Sequence, residues 1–483
     1  MPITSYRAQR DALDSTIVGT TYAHAYQPKK EAESFYVQDN SMWDSSVQPV
    51  NFFAHTRVRA EVSSGQKVLG DSISFKLKRV GHLLMGMALI IALKGIVAYD
   101  ATPAEGVPNS SGWLNNASDL NLQPYFVDYA GIALVTSAKL NVSTLTFIEL
   151  TNDAILEIDQ LFGTAGKDAG KFLGKHNKAG DGSIPEDEAK MGRVFIIDLP
   201  FACGQSTDFL FPTTIIGFHG VEIEVKVGKL ADILRVPSVT EEQAGTSSSS
   251  AALYSSSGFQ VYVRPEGVAW GASAPSVLAT DQTIVNDIYL RIGVVFLTKA
   301  DASMLAGAKR RMVWPKFISR REQYSTTTAP TADVDATFAA TYLKKNMAAV
   351  LLRPNRSKQD FAVGHAGPYT EAASMNKPCL LNIGMEVDDH KVFDETNEEN
   401  QFTIFESFPK YPSIDMNAIP FGPSVDGLQA IATRNLAKAT DINLKLRISK
   451  ECFADSEQLL YIDVTGLYFT FVELRKGMLF ASA

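Results

Sequence analysis

Residues 220–230 read GVEIEVKVGKL, and apolar side chains alternate with charged ones along most of this stretch. Val221 and Ile223 would lie on one face of an extended chain, whereas Glu222 and Glu224 would lie on the other. Because successive side chains of a strand point to opposite faces of a sheet, the pattern predicts a strand with one buried face. A helix would spread the same charged side chains around its circumference.

The same alternation recurs along the chain. It is clear in residues 72–78 (SISFKLK), 259–264 (FQVYVR) and 442–449 (INLKLRIS). Further strands are predicted at residues 131–146, 193–198, 287–298, 347–352, 401–407 and 459–473. Short helices are predicted at residues 6–15 and 302–312, and residues 151–162 fit either a helix or a strand. Many strands with few helices predict an all-β protein built from sandwiches or barrels.

Composition narrows the classes of function. A chain of 483 residues is long enough for roughly two to four domains. Its 45% hydrophobic content argues against wholesale disorder, and its net charge of −8 argues against a general nucleic-acid binder. The longest apolar run, residues 83–93, is shorter than the ~20 residues of a membrane-spanning helix. The first residues lack the apolar stretch of a secretory signal, so we expect a chain that is made inside the cell without a signal peptide.

The predicted strands fall into two groups on either side of a break near residue 300. We predict an N-terminal arm over residues 1–50 and a first β-domain over residues 51–300. A linker with a short helix follows over residues 301–325, and a second β-domain over residues 326–483. Long connections between strands suit a protein that contacts large partners.

The sequence predicts no catalytic residue, no cofactor and no metal. The seven histidines lack the close spacing that metal sites use, and residues 177–188 match a calcium loop only in part. Residues 163–171 lack the spacing of a phosphate-binding loop. Three cysteines far apart in sequence, Cys203, Cys379 and Cys452, are expected to be buried thiols.

One segment is strongly basic. Residues 309–321 read KRRMVWPKFISRR and contain six bases, no acids and two aromatic residues. The candidate contact residues are Lys309, Arg310, Arg311, Lys316, Arg320 and Arg321. Three interpretations stay open, namely a protein contact or solvated face, a nucleic-acid contact, and a nuclear-import signal.

Four stretches resemble the double jelly-roll major capsid proteins of large icosahedral double-stranded DNA viruses, the nucleocytoplasmic kind. They are residues 70–85, 126–159, 199–223 and 286–321. The third reads LPFACGQSTDFLFPTTIIGFHGVEI and is the most specific, because it follows the family's Leu-Pro-Phe and His-x-Val-x-Ile pattern. None of the four is a catalytic signature.

The resemblance implies two tandem eight-stranded antiparallel jelly rolls with long inserted loops and few short helices. It implies a structural protein of the virion, whose homotrimers form pseudo-hexameric capsomers that tile an icosahedral shell. The implied partners are further copies of the chain, neighbouring capsomers, and minor capsid and penton proteins. The basic segment would face the internal membrane or the genome, and no small-molecule substrate is expected.

Two alternatives remain. One is a minor capsid or spike-like jelly-roll protein of the same virion. The other is a β-sandwich carbohydrate-binding protein or glycoside hydrolase, because jelly rolls also occur in lectins. The latter would need an aromatic-lined groove, and a glycoside hydrolase would also need paired carboxylates.

Overall fold

The computed structural model describes most of the predicted strand regions. The described residues are 53–77, 81–100, 125–127, 129–142, 145–162, 170–174, 191–201, 211–213, 220–235, 259–264, 277–297, 303, 310–326, 330–356, 378–412, 416–422, 425, 433–453, 459–475 and 478–481. The predicted N-terminal arm, the calcium-like stretch 177–188 and most of the stretch 163–171 lie outside them.

The first lobe is made of strands joined by short helices. Its strands are β1 Phe53–Glu61, β2 Ser72–Leu77, β3 Leu83–Leu93, β4 Ile96–Asp100, β5 Tyr125–Phe126, β6 Val135–Val142, β7 Leu145–Thr151, β8 Arg193–Asp198, β9 Phe211–Pro212, β10 Val221–Val227, β11 Leu234–Arg235, β12 Phe259–Val263 and β13 Val285–Leu297. Its helices are α1 Ala130–Ala133, α2 Asn152–Phe162, α3 Gly170–Leu173 and α4 Leu230–Ile233.

Two antiparallel sheets of the first lobe face each other. One has the order β1-β13-β3-β8, with β9 also paired to β3, and the other has the order β2-β10-β6-β7. In β10, Val221, Ile223, Val225 and Val227 are buried, as the alternating sequence predicts. Ile223 lies opposite Phe75 of β2 and Leu140 of β6 in the register, and all three are buried in the core between the sheets.

The second lobe repeats this arrangement. Its strands are β14 Arg310–Ser325, β15 Val334–Ala339, β16 Asn346–Arg356, β17 Leu380–Val387, β18 His390–Thr396, β19 Asn417–Pro420, β20 Arg434–Asn435, β21 Ile442–Ile448, β22 Leu459–Arg475 and β23 Met478–Ala481. Helix α5 spans Asn397–Ser407. A six-stranded sheet has the order β14-β22-β16-β19, with β20 also paired to β16 and β23 to β22, and a four-stranded sheet has the order β15-β21-β17-β18.

Strand order is therefore the same in both lobes. In each, the first, last, third and sixth strands of an eight-stranded set form one sheet, and the other four form the facing sheet. This is the order of a jelly roll, in which two antiparallel sheets enclose one core. The prediction of two tandem eight-stranded jelly rolls with few short helices is confirmed.

The cores of the two lobes are organised differently. The core of the second lobe is enclosed between its two sheets and contains Ile383, Leu446 and Val464. The core of the first lobe extends beyond its own sheets, because Trp314 and Leu467 of the second lobe belong to the same buried cluster. The lobes are thus joined by a continuous apolar contact.

Residues 401–407, predicted as a strand, belong to helix α5, and that prediction is wrong. Their short alternation of apolar and polar side chains imitates a strand. A capping box decides the outcome, because the Thr396 side chain accepts a hydrogen bond from the Glu399 N–H while the Glu399 carboxylate accepts one from the Thr396 N–H. Residues 151–162, left open between helix and strand, form α2 after the last residue of β7.

The segment predicted as a linker, residues 301–325, also differs. Residue 303 is helical, but Arg310–Ser325 form strand β14, which pairs with β22 along its whole length. Its aromatic and β-branched residues favour a strand. Residues 131–146, predicted as one strand, include part of α1, then β6 and the start of β7.

Cys379 is disulfide-bonded, so the expectation of buried thiols is wrong for this residue. Cys203 lies outside the described residues, and nothing is described of the Cys452 side chain. No helix in the described part of the chain is long and apolar enough to cross a membrane.

Candidate assembly surfaces and the junction between the lobes

Helix α2 makes the junction between the lobes. It follows β7 of the first lobe and lies against β14 and β22 of the second. The Thr151 hydroxyl accepts a hydrogen bond from the Ala154 N–H at 3.3 Å, which caps the start of the helix. At its end, the Phe162 ring meets the Phe408 ring edge-on, with 5.6 Å between centroids.

Four charged side chains meet beneath α2, and we call them the junction ion cluster: Asp153, Arg321, Arg353 and Asp463. The Arg353 Nη2 donates to Asp153 Oδ1 and to Asp463 Oδ2, each at 2.6 Å. Arg321 donates from Nε to Asp463 Oδ1 at 2.6 Å and from Nη2 to Asp153 Oδ2 at 3.1 Å. Asp153 belongs to the first lobe and the other three belong to the second, so the cluster crosses the junction.

Glu157, one turn after Asp153, is completely buried beside this cluster. Burial raises the pKa of Glu157 well above its ordinary value, and the Thr465 hydroxyl and the Arg353 guanidinium act in the opposite direction. Burial also raises the pKa of Asp153, again opposed chiefly by Arg353. Two guanidinium groups balance the charges of Asp153 and Asp463, so the neutral, protonated form of Glu157 leaves the group of five without net charge.

The cluster is suited to holding two lobes together rather than to chemistry on a substrate. The Asp153 and Asp463 side chains are 11% and 3% exposed. Paired carboxylates of glycoside hydrolases must flank a bond of a bound sugar, and these carboxylates are covered by protein. Among the described residues, no group of three or more histidine, cysteine and acidic side chains is arranged to hold a metal.

The predicted basic segment forms part of β14, and its side chains are divided between the two faces of a sheet. Lys309 lies outside the described residues, and nothing is described of the Arg310 and Arg311 side chains. Lys316 and Arg320 lie on one face, and Arg321 belongs to the junction ion cluster on the other. The structure therefore does not present these bases as one continuous surface.

Lys316 and Arg320 have intramolecular contacts of their own. The Lys316 Nζ lies 5.2 Å from the centre of the Phe147 ring. Burial, followed by the nearby charge of Lys345, lowers the pKa of Lys316. Arg320 is 3.2 Å from the Glu322 carboxylate and lies over the Tyr342 ring. A partner contact through this strand stays a prediction.

Large apolar side chains are exposed at several places in the described part of the chain, two of which are candidate contacts. Phe402 and Phe405 on α5 are 61% and 68% exposed, and Tyr411 lies nearby, with its hydroxyl bonded to Gln401. In the first lobe, Met191 and Val194 are exposed at the start of β8. Apolar patches of this kind often mark contacts with other proteins.

Sequence reasoning missed the junction ion cluster apart from Arg321. Arg353 and Asp153 are 200 residues apart in sequence, so no local pattern connects them. One signal was present, because Asp153, Glu157 and Gln160 are polar residues at helical spacing within the stretch TNDAILEIDQLF. Such a stripe indicates a helix face that meets polar groups.

Residues 41–264 match the family model described as "Major capsid protein N-terminus". No curated protein sequence compared with the chain matches it. Among solved structures, VP54 of PBCV-1, fitted into a reconstruction of the virophage Sputnik, aligns with a TM-score of 0.64 and 11% identity, covering 91% of this chain and 99% of that one. The Faustovirus major capsid protein aligns with a TM-score of 0.58 and 11% identity, covering 92% and 94%.

At these identities the structural likeness shows the fold, and the sequence match makes residues 41–264 similar to the N-terminal part of major capsid proteins. The fold is the double jelly roll, and the match runs from residue 41, near the end of the predicted arm, through most of the first lobe. The chain is thus similar to major capsid proteins, in sequence over residues 41–264 and in its double jelly-roll fold.

Proposed function

We propose that this chain is the main building block of an icosahedral virion shell and that three copies join in a capsomer of pseudo-sixfold outline. The observation that carries the proposal is the identical strand order of the two lobes. Three chains with two similar lobes each supply six similar lobes around one axis. Cyclic symmetry then closes the ring, because the same contact is repeated between each chain and the next.

The junction between the lobes supports a building role. A shell unit has to keep its two lobes at a fixed angle while its edges bind neighbours. The junction ion cluster and the Phe162–Phe408 and Phe147–Trp314 ring contacts hold the lobes together from inside the chain. The charges are paired and directional, so a shift of one lobe would leave buried charges without partners, which is costly.

The proposal includes a purely structural, non-enzymatic role in the virion. Of the described acidic side chains, those brought together at the junction are covered by protein, which disfavours the glycoside hydrolase alternative. Neighbouring capsomers and minor capsid and penton proteins are the proposed partners. The basic segment, residues 309–321, is a candidate contact with the membrane or genome side.

The test is the mass and outline of the full chain in solution. We expect native mass spectrometry and light scattering to give three chains per particle, and negative-stain images to show a hexagonal outline. A chain that stays monomeric at every concentration, and with the virus's assembly factors added, would overturn the proposal. The band intensity in a gel of purified virions separates a major from a minor capsid protein.

A further inference from the structure

Helices α2 and α5 occupy the same place in their respective lobes. Each has eleven residues and follows the outermost strand of a four-stranded sheet, β7 in one lobe and β18 in the other. Each begins after the same short motif, Thr151-Asn152-Asp153 for α2 and Thr396-Asn397-Glu398 for α5. The threonine hydroxyl caps the helix in both cases.

Counting from these caps gives matched positions on the two helices. Asp153, Glu157 and Gln160 of α2 correspond to Glu398, Phe402 and Phe405 of α5. The three residues of α2 are buried, and Asp153 reaches the ion pairs of the second lobe. The three residues of α5 are exposed, and two of them are phenylalanines. The same helix face is covered in one lobe and open in the other.

The sheets show the matching difference. Helix α2 covers the outer face of the sheet β14-β22-β16-β19, where Arg321 on the edge strand β14 binds Asp153. The equivalent sheet of the first lobe is β1-β13-β3-β8, and its edge strand β1 is the counterpart of β14. Val58 and Ala60 of β1 pack against the core, so Arg57 and Arg59 lie on the outer face.

The outer face of the first-lobe sheet has the chemistry that α5 would need. Arg57 and Arg59 are exposed, and the Arg59 guanidinium lies 3.9 Å from the centre of the Tyr289 ring on β13. Val194 on β8 is 53% exposed on the same face. Acidic and aromatic groups on α5 thus have basic and apolar counterparts on this sheet.

We propose that α5 of one copy docks on the outer face of the β1-β13-β3-β8 sheet of a second copy, repeating between chains the junction that α2 makes within one chain. Phe402 and Phe405 pack on the apolar part of that face, and Glu398 lies near Arg57 and Arg59, as Asp153 lies beside Arg321. The inference rests on the proposed function, since repetition of this contact closes a ring of three chains. It assigns the contact to particular residues.

A photo-crosslinker tests the contact directly. The full chain carries benzoylphenylalanine in place of Phe405, is mixed with a ¹⁵N-labelled copy, and is irradiated. We expect crosslinks between light and heavy chains that map to β1, β8 or β13. Crosslinks between chains that map to other elements, or crosslinks only within one chain, would overturn the inference.

A pair of variants measures the strength of the contact. Phe402→Ala with Phe405→Ala keeps good helix formers on α5, and we expect the concentration at which the trimer dissociates to rise roughly tenfold or more. The matched control is Val277→Ala with Leu278→Ala, which replaces two exposed apolar residues of the first lobe. For this control we expect the concentration at which the trimer dissociates to change by no more than about twofold.

The two proposals fail in different ways. A wild-type chain that never forms trimers would overturn the proposed function and this inference together. A second outcome would overturn the inference alone and leave the proposed capsomer unaffected. In that outcome the wild-type chain forms trimers, the α5 variant dissociates at the same concentration, and the crosslinks map to other elements. The comparison requires that the α5 variant folds, which circular dichroism checks. Both phenylalanines are exposed, so we expect their replacement to leave the fold intact.

Discussion

The two lobes share one strand order but bury different surfaces. In the second lobe, the sheet β14-β22-β16-β19 is covered on its outer face by α2, so Arg353, Asp463 and Thr465 are buried there. In the first lobe, the equivalent sheet leaves Arg59 and Val194 exposed. Strand order alone therefore does not determine which sheet faces are buried. The residues on the outer face and on the following helix decide it.

The largest expected effect on stability comes from replacing a buried phenylalanine of α2 by alanine, compared with the same replacement of an exposed phenylalanine of α5. Phe162→Ala removes a buried ring that packs on Phe408 and should lower the free energy of unfolding by about 3–5 kcal/mol. Phe402→Ala removes an exposed ring and should change it by no more than about 0.5 kcal/mol. Urea unfolding at a concentration where the chain is monomeric gives both values.

Similar losses for these two variants would mean that α5 is covered within the monomer. The contrast between the helices would then be absent, and the exposed face of α5 would no longer need a second chain to bury it.

The junction ion cluster is expected to have the next largest effect. Arg353→Met leaves Asp153 and Asp463 with Arg321 alone, and burial of the uncompensated charge should lower the free energy of unfolding by about 3 kcal/mol. Arg447→Met is the control, because Arg447 is exposed and its ion pair with Asp333 is long, at 3.8 Å. This substitution should lower the free energy of unfolding by less than about 1 kcal/mol. Equal costs would contradict a junction held by buried charge.

Glu157 gives the junction a dependence on pH. Its pKa is raised by burial, so the folded chain holds a proton that the unfolded chain releases above its ordinary value of 4.5. Stability is therefore fully present below that value and is lost as pH rises through the raised pKa. Glu157→Gln imitates the protonated acid and should raise the free energy of unfolding at pH 8 on the order of 1 kcal/mol, with little effect at pH 4.

Unfolding curves of both proteins across this pH range test the expectation. The gap between them should widen as the pH rises. A gap that stays constant would show that the pKa of Glu157 is the same in the folded and the unfolded chain. At the matched sheet of the first lobe, hydrogen bonds from Lys67 and Arg59 lower the pKa of Glu61, so Glu61→Gln should act in the opposite sense and reduce stability at pH 8 rather than raise it.

Sequence patterns predicted the sheets because their signal is local. The alternation in β10 and β21 assigns each side chain to a face without knowledge of the partner strands. The same reasoning failed for residues 401–407, since a run of seven residues can alternate in a helix whose exposed face is apolar. The prediction failed because Phe402 and Phe405 are exposed rather than buried. The same exposure marks the face of α5 that we propose as a contact surface.

The junction could be predicted only in part for a different reason. Asp153 meets Arg321 and Arg353, which lie 168 and 200 residues further along the chain. Arg321 looked like one of six bases in a contact segment, because the sequence does not show that an acid from the other lobe lies opposite. Charge in a segment predicts a contact, whereas the fold decides whether that contact is internal.

The smallest expected effect separates the helices at their caps. Thr151 makes one capping bond, whereas Thr396 shares a capping box with Glu399, whose pKa is held below its usual value first by the Thr396 N–H and then by its hydroxyl. Replacement of either threonine by alanine should cost about 1 kcal/mol. Helix α2 is also held by the second lobe, but α5 has one face open, so amide hydrogen exchange should quicken more along α5 in Thr396→Ala than along α2 in Thr151→Ala. If trimer formation removes that difference, the second chain covers α5. If the difference persists in the trimer, α5 stays open there and the proposed contact between copies is wrong.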